Sequence, residues 1–420
     1  MRYSAPRGTQ DILPRESPRW QYVEAKFRDV CRLYGYHELR TPTFEETELF
    51  ARSIGEHTDI VGKEMYTFLD RAERSMTLRP EGTAPVVRAY IQHSLFAEQP
   101  VAKVYYITSI FRYERPQAGR YREHHQVGVE AIGSQDPAVD AEIISLGMRY
   151  LESLGITGLE LKINSVGCPI CRPKYREALR KSVEPYLSEL CESCRTRYDA
   201  NPLRMLDCKV PSCRELTVNV PSITDCLCEE CAGHFKAVLH DLDILGILYA
   251  HDARLVRGFD YYTKTAFEVV SEKLGAQNAV LGGGRYDGLV EELGGKPTPG
   301  IGFGSGIERT LAIMEAQGIE IPGDRHPAVF VATLGDEQRE AGIRLLGDLR
   351  QAGIAAEADY SGKSLKSQMK AADREQVRLT IIIGEDELSK GLVKIRDMAT
   401  REETDVPLGQ AVEKIRQMVG

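Results

Sequence analysis

Nine of the ten cysteines in this 420-residue chain lie between Cys168 and Cys231, and the tenth is Cys31. This clustering constrains the fold more than any other feature. It places a chemically distinct segment mid-chain, and the flanking sequence must fold around it. Cys168-Pro-Ile-Cys171 and Cys191-Glu-Ser-Cys194 are CxxC pairs separated by nineteen residues. Each such turn presents two thiolates to one tetrahedral ion. The spacing therefore predicts one structural Zn²⁺ on Cys168, Cys171, Cys191 and Cys194. A second site would draw on Cys208, Cys213, Cys228 and Cys231, with His234 just beyond. The alternative is a set of free thiols. Cys31 belongs to a different pattern. Trp20, Val23, Phe27, Val30, Cys31 and Tyr34 recur at three- and four-residue steps after Ser17-Pro18, which predicts a helix with a buried, inert thiol.

At about 150 residues per domain, the length predicts roughly three domains. Hydrophobic content of 42% and charged content of 28% exclude a largely disordered chain. The longest apolar run, residues 244–250, is far short of the ~18 residues of a membrane helix. Met1 to Arg7 contains no apolar region of the secretory type, so a cytoplasmic location without membrane attachment is expected. A formal charge of -8 argues against a protein built mainly to coat nucleic acid.

Residues 101–112 and 125–132 read as strands, joined by the charged stretch 114–123. So long a connection usually carries a function. Asp136-Pro137 opens a helix, 159–163 is strand-like, and 234–250 is helical in pattern. Residues 265–270 and 282–284 have strand-and-turn character, and glycine-rich 299–306 precedes a helix at 307–316. After a linker at 322–327 the elements alternate: strand 328–333, helix 336–352, strand 354–358, helix 364–372, strands 379–384 and 392–396, and a closing helix near 406–418. That alternation predicts a separate α/β domain. Lys363, Lys366 and Lys370 recur along one of its helices and could meet phosphates.

Four segments concentrate polar residues: 77–83, 111–130, 255–262, and 282–287 with 302–309. Arg112, Arg115, Arg120 and Arg122 crowd one hairpin, and guanidinium groups bind phosphate oxygens bidentately. Gly302-x-Gly-x-Gly306 leads into a helix carrying Arg309 and allows close backbone approach to a ligand. Gln126, Gly128 and Glu130 share one strand face. With Glu81, they suit an ammonium group and a nitrogen heterocycle; the alternative is an exposed strand face. Of the neighbours Tyr261 and Tyr262, strand alternation would send one to the core.

Together these segments resemble the histidyl-tRNA synthetase family of class II aminoacyl-tRNA synthetases. The likeness begins at Pro6-Arg-Gly-Thr-Gln-Asp11 and runs through Gly35-Tyr36 and Thr41-Pro42, which resembles the dimer-forming motif 1. Phe111-Arg-Tyr-Glu-Arg-Pro116 with Gly119-Arg-Tyr-Arg122 resembles motif 2, and Gly302 to Arg309 resembles motif 3. Leu255-Val-Arg-Gly-Phe-Asp-Tyr-Tyr262 and Gly283-Gly-Arg-Tyr-Asp-Gly288 resemble the histidine-specific motifs.

The resemblance implies an α+β fold: an antiparallel six-stranded catalytic sheet flanked by helices, an inserted domain, and a C-terminal α/β anticodon-binding domain. The expected bounds are 1–166 and 251–321 for the catalytic parts, 167–250 for the insertion and 328–420 for the last domain. It implies ATP with Mg²⁺, L-histidine and tRNA(His) as ligands, and a homodimer. Arg112 and Arg257 match the catalytic arginines at the α-phosphate. Glu114 matches the residue at the adenine amino group, and Arg120 and Arg309 the pair on the outer phosphates. Glu81, Gly82, Thr83 and Gln126 match residues around the α-amino group, and Glu130, Tyr261 and Tyr262, with Arg257, the rest of the histidine site. Two positions depart from the pattern: His124 stands where an adenine-stacking phenylalanine is usual, adding a titratable charge, and Phe259 replaces a leucine. Two other functions compete with this one. A non-catalytic regulatory subunit of ATP phosphoribosyltransferase usually lacks the C-terminal domain. A zinc-ribbon nucleic-acid binder leaves the arginines unexplained.

Overall fold

Strands whose alternate residues differ in chemistry build a sheet with two unlike faces. The computed structural model describes residues 3–55, 58, 60–114, 120–274, 278–321 and 327–419. It divides into the units Met1–Pro322 and Gly323–Gly420. Arg115 and the rest of 115–119, and most of the expected linker (322–326), lie outside the described residues.

The described strands of the first unit are β1 (His37–Glu38), β2 (Phe44–Glu46), β3 (Tyr66–Leu69), β4 (Ser75–Leu78), β5 (Ala102–Phe111), β6 (Glu123–Ile132), β7 (Leu159–Ser165), β8 (Ala250–His251), β9 (Thr263–Ser271), β10 (Ala279–Arg285) and β11 (Gly300–Gly306). One sheet runs β1-β5-β6-β11-β10-β9-β7-β8, and a small one runs β2-β4-β3. The six strands from β5 to β7 in that order are antiparallel throughout, matching the expected catalytic sheet. The two-residue strands β1 and β8 extend it, each parallel to its neighbour. The cysteine-rich segment leaves after β7 and returns at β8, where Ala250 pairs with Lys162.

Side chains alternate across a strand, and this sheet uses the alternation fully. Val127, Val129 and Ala131 of β6, Ile301 and Phe303 of β11, Leu281 of β10, and Phe267 and Val269 of β9 all enter one core. Helices Ser17–Leu33, Pro137–Ser153, Glu229–Ile244 and Ile307–Ala316 supply its other half. Phe27 meets Tyr105 and Tyr150 edge-on at 5.7 and 5.1 Å, and Cys31 is fully buried there as its spacing predicts. The even-numbered residues of β6 and β11 look the other way. Asp136 caps helix Pro137–Ser153 by accepting from Ala138 N at 3.0 Å.

Deep in this unit, Asp140 and Arg285 have no solvent exposure. Arg285 donates to Asp140 Oδ2 at 2.7 and 2.8 Å, and also to Ser134 O and Asp287 Oδ1. His234 Nε2 lies 3.1 Å from the other Asp140 oxygen. His234 is therefore committed to this pair and does not join the cysteines. Burial pushes the Asp140 carboxyl up, but the His234 hydrogen bond and Arg285 together bring it below its ordinary value. The network ties β10 to two helices.

Some expectations shift. Residues 282–284 lie inside β10 without a turn, and the helix expected at 234–250 runs Glu229–Ile244 because Leu245 and Gly246 close it. In the second unit, β12 (Val329–Thr333), β13 (Ala356–Ala358), β14 (Leu379–Ile383), β15 (Leu392–Asp397) and β16 (Glu403–Pro407) are ordered β13-β12-β14-β15-β16. β16 falls where the closing helix was expected to begin. Val406 pairs with Val393 and enters the core, so the helix starts only at Ala411. Helix Leu365–Arg374 carries Lys366 and Lys370 exposed, while Lys363 precedes it. No described helix is long and apolar enough to cross a membrane.

Arg285→Met should destabilise the first unit by about 3–5 kcal/mol, because it leaves the Asp140 carboxylate buried beside one partner instead of two. Denaturant unfolding followed by tryptophan fluorescence checks this. An unchanged midpoint would remove the network from the forces that hold the unit.

Candidate functional site

The face opposite the core carries a cavity of two lobes. One, about 220 Å³, is walled by Arg112, Glu114, Arg120, His124, Glu268 and Arg309, among others. The other, about 200 Å³, is walled by Glu81, Thr83, Tyr106, Glu130, Tyr262 and Tyr286, among others. Arg112, Gln126, Arg257, Gly282 and Gly304 line both, so the lobes share one boundary. A larger concavity, about 690 Å³, lies elsewhere, against Leu39–Pro42 and Arg88 to His93.

The second lobe is polar at its base. Glu130 is buried, and its oxygens accept from Thr83 Oγ1 at 2.8 Å and Tyr286 OH at 2.6 Å. Burial pushes its carboxyl up to about 8, against the pull of those two donors. Glu81 is also buried and accepts from the backbone N–H groups of Thr83 and Ala84, at 2.7 and 2.6 Å. This carboxylate therefore sits on the N-terminus of helix Thr83–Gln92, where the helix dipole favours negative charge. Burial still raises its pKa above the ordinary carboxylate value. Gln126 donates to Tyr106 OH at 3.0 Å. The face shared by Gln126, Gly128 and Glu130 is thus enclosed, and the alternative of an exposed strand face is overturned.

Glycine makes the crowding possible. Gly302 stands opposite Glu130 in the β6–β11 ladder, and a Cβ at Gly302 would collide with the Glu130 carboxylate. A Cβ at Gly282 would collide in the same way with the Arg257 guanidinium.

Arg257 binds Glu268 at 2.8 Å, while its buried Nε has no hydrogen-bond partner among the described residues. Arg112 donates through Nε to Pro80 O at 2.7 Å and lies 5.6 Å from the centre of the Phe259 ring. Phe259 also stacks on Tyr261 at 5.1 Å. The departure from leucine there gives Arg112 a cation–π neighbour. Arg120 pairs with Glu114 at 3.1 Å, and Arg309 donates to Ala279 O at 3.0 Å.

Two expectations are corrected. Tyr261 and Tyr262 are both buried and both line the second lobe. They lie in a turn before β9, so strand alternation does not separate them. His124 does line the first lobe, but it adds no titratable charge near neutrality. Burial, reinforced by Arg112 and Arg309, holds its pKa down to about 3.

Tyr106 and Glu268 lie outside every motif read from the sequence, and Tyr286 and Glu308 stand in motifs without an assigned role. Tyr286 stood within a quoted motif, Gly283 to Gly288. Glu268 was visible as a charge set inside the apolar run Ala266 to Val270. Glu308 accepts from His125 N at 2.9 Å and contacts its Nδ1 at 3.0 Å.

The cysteine set expected for one zinc is also corrected. Cys168 and Cys171 do not meet Cys191 and Cys194. The thirteen-residue helix Cys171–Val183 stands between the two CxxC turns, a rise of about 20 Å at 1.5 Å per residue. Cys168 and Cys171 gather with Cys228 and Cys231, and Cys191 and Cys194 with Cys208 and Cys213.

An antiparallel sheet carrying an arginine-lined lobe beside a carboxylate-floored one is the arrangement of a class II aminoacyl-tRNA synthetase. A family model described as histidyl-tRNA synthetase matches residues 8–169 and 214–310, and one for an anticodon-binding domain matches 328–418. The chain is 53% identical to the histidine--tRNA ligase of Caldanaerobacter subterraneus subsp. tengcongensis, covering 98% of this chain and 99% of that protein. It is 54% identical to that of Moorella thermoacetica, covering 99% and 98%. The crystal structure of apo S. aureus histidyl-tRNA synthetase superposes with a TM-score of 0.84 at 42% identity, covering 99% of this chain and 100% of that one. The chain belongs to the histidyl-tRNA synthetase family.

Glu130 binds its proton more tightly in the folded chain than an unfolded glutamate does. Stability should therefore fall as pH rises from about 4.5 to about 8 and level off above that. Glu130→Gln should flatten this slope in a pH series of urea unfolding curves. Parallel slopes for both proteins would show that Glu130 is not buried in its protonated form.

Proposed function

We propose that the cavity activates L-histidine with ATP and passes the histidyl group to the 3′ end of tRNA(His). The observation that carries this reading is the shared boundary of the two lobes, where Arg112 and Arg257 stand between an arginine-lined space and a carboxylate-floored one. In the first step a carboxylate oxygen of histidine attacks the α-phosphorus of ATP. The bond to the bridging oxygen breaks, and pyrophosphate leaves with the electron pair. Negative charge gathers at phosphorus between the two arginines, and fixed positive charge there stabilises the transition state. The attacking carboxylate is already ionised, so no general base is needed. In the second step a hydroxyl oxygen of the terminal adenosine attacks the acyl carbon, the bond from that carbon to the phosphate oxygen breaks, and AMP leaves with the electron pair while the hydroxyl proton passes to a phosphate oxygen.

In this reading Arg120 and Arg309 hold the outer phosphates, Glu114 meets the adenine amino group, and His124 lies against the adenine ring as a neutral imidazole. Glu81, Gly82, Thr83 and Gln126 surround the α-amino group. Glu130, Tyr261 and Tyr262 read the imidazole, with Tyr286 orienting Glu130. The Arg257 Nε, without a hydrogen-bond partner among the described residues, would meet the substrate carboxylate or α-phosphate. Mg²⁺ fits as a companion of ATP: Glu114, Glu268 and Glu308 line the nucleotide lobe but already engage Arg120, Arg257 and His125. It would neutralise phosphate charge, and the protein would leave most of its coordination to phosphate and water.

The second unit, with exposed Lys366 and Lys370, would bind the anticodon stem of the tRNA. A homodimer would form through the segment 35–42, which borders the larger concavity and includes the edge strand β1. The working location would be the cytoplasm. Any Zn²⁺ in the insertion is structural in this reading, because none of its thiols lines either lobe. The regulatory-subunit alternative is disfavoured by the presence of Arg112, Arg257, Arg309 and the second unit.

Histidine-dependent exchange of pyrophosphate into ATP tests the reading, and its absence with Mg²⁺ and fresh protein would defeat it. Arg257→Ala should lower the exchange rate by about 10²–10³-fold with an unchanged circular-dichroism spectrum. Wild-type rates in that variant would contradict the assigned role. Tyr286→Phe should raise the histidine KM by about tenfold, the scale of one lost hydrogen bond to a carboxylate, and leave the ATP KM alone. An equal rise in both would remove Tyr286 from the histidine lobe.

A further inference from the structure

The insertion between β7 and β8 contains nine thiols, and eight of them are sorted into two sets of four. Within each set every sulfur lies within 4.8 Å of the others. Cys168 Sγ is 3.6 Å from Cys171 Sγ and 3.9 Å from Cys228 Sγ, and Cys191 Sγ is 3.9 Å from Cys208 Sγ. A disulfide would need about 2.05 Å. Four sulfurs around a tetrahedral Zn²⁺ at about 2.3 Å stand about 3.8 Å apart, since a tetrahedron's edge is about 1.63 times its centre-to-vertex distance. Both sets also receive a backbone donor. Cys228 N–H points at Cys171 Sγ at 3.1 Å, and Cys191 N–H at Cys213 Sγ at 3.2 Å. Such donors stabilise thiolate charge. Cys226 and Cys31 stand outside both sets.

The two sets hold the arms that grip one wall of the histidine lobe. Arg172, next to Cys171, donates to the carbonyls of Tyr262 and Asp260. Asn201, at the end of the helix that starts at Glu192, donates to Asp260 Oδ1 at 2.8 Å, and Arg204 donates to Gly258 O at 2.8 Å. Residues 258–262 therefore take much of their fixed position from the insertion. The insertion itself has a small core, and small modules of that kind often rely on a metal for stability.

We propose that the insertion binds two structural Zn²⁺ ions, one on Cys168, Cys171, Cys228 and Cys231 and one on Cys191, Cys194, Cys208 and Cys213, and that together they fix residues 258–262 beside the cavity. The metal assignment stands on thiol geometry and does not depend on the reaction assigned above.

Elemental analysis of the full-length protein should find two zinc ions per chain. Cys231→Ser and Cys194→Ser should each retain one. Wild-type protein reconstituted with Co²⁺ should show the absorption of tetrahedral thiolate sites, which keeps the test open if a variant fails to fold. Less than half an equivalent of metal, with all eight thiols reacting at once with a thiol reagent, would overturn the proposal. A coloured protein containing iron would overturn the assignment to zinc. Stripping the metal from the full chain should speed amide exchange across 258–262 by about tenfold or more, as expected when a local anchor is lost. Unchanged exchange in metal-free protein would overturn the positioning half.

Discussion

The face that carries the cavity depends on side chains that are absent. β11 contributes glycine at every even position from 300 to 306, and two of these, Gly302 and Gly304, make room for the polar side chains of Glu130 and Gln126 on β6. Without Gly302 the Glu130 carboxylate has no room, and without Gly282 the Arg257 guanidinium has none. The odd positions of β11 hold Ile301 and Phe303, which anchor the strand in the core on the other side. One strand thus secures the fold with half its residues and makes space for chemistry with the other half.

The charges on this face are sorted by lobe. Arginines dominate one and buried carboxyls the other, with Arg257 at the boundary tied to Glu268. Carboxyl groups as buried as Glu81 and Glu130 resist ionisation, and a ligand presenting an ammonium or an N–H donor relieves that penalty. The lobe is therefore better suited to being filled than empty. His124, surrounded by guanidinium groups, is held neutral for a related reason.

Much of this was legible in the sequence. Period-two alternation in residues 125–132 placed Gln126 and Glu130 on a common face, and the helical spacing around Cys31 buried it correctly. Tyr261 and Tyr262 were misjudged because alternation was applied to residues that form a turn. β16 was missed because Glu403–Pro407 has a single buried residue, Val406, too little for a strand signal. The thiol pairing was misread because nearness in sequence was taken for nearness in space. A third pair, Cys228-Glu-Glu-Cys231, was available as the partner for Cys168 and Cys171. Tyr106 could not be read at all, since its contact with Gln126 depends on the register between β5 and β6.

β7 and β8 are hydrogen-bonded parallel neighbours, so the insertion leaves at the end of β7, Ser165, and rejoins at Ala250, one strand over and level with Lys162, about 10 Å back along β7. Chain ends that close together behave like the mouth of a socket. What is plugged in can be long or short with little change in the closure entropy, which grows only logarithmically with length. The antiparallel ladder beyond β7 need not know what the socket holds. An engineer could replace the module with a short linker and ask the sheet alone to keep its shape, at the expense of the hydrogen bonds the module lends to residues 258–262.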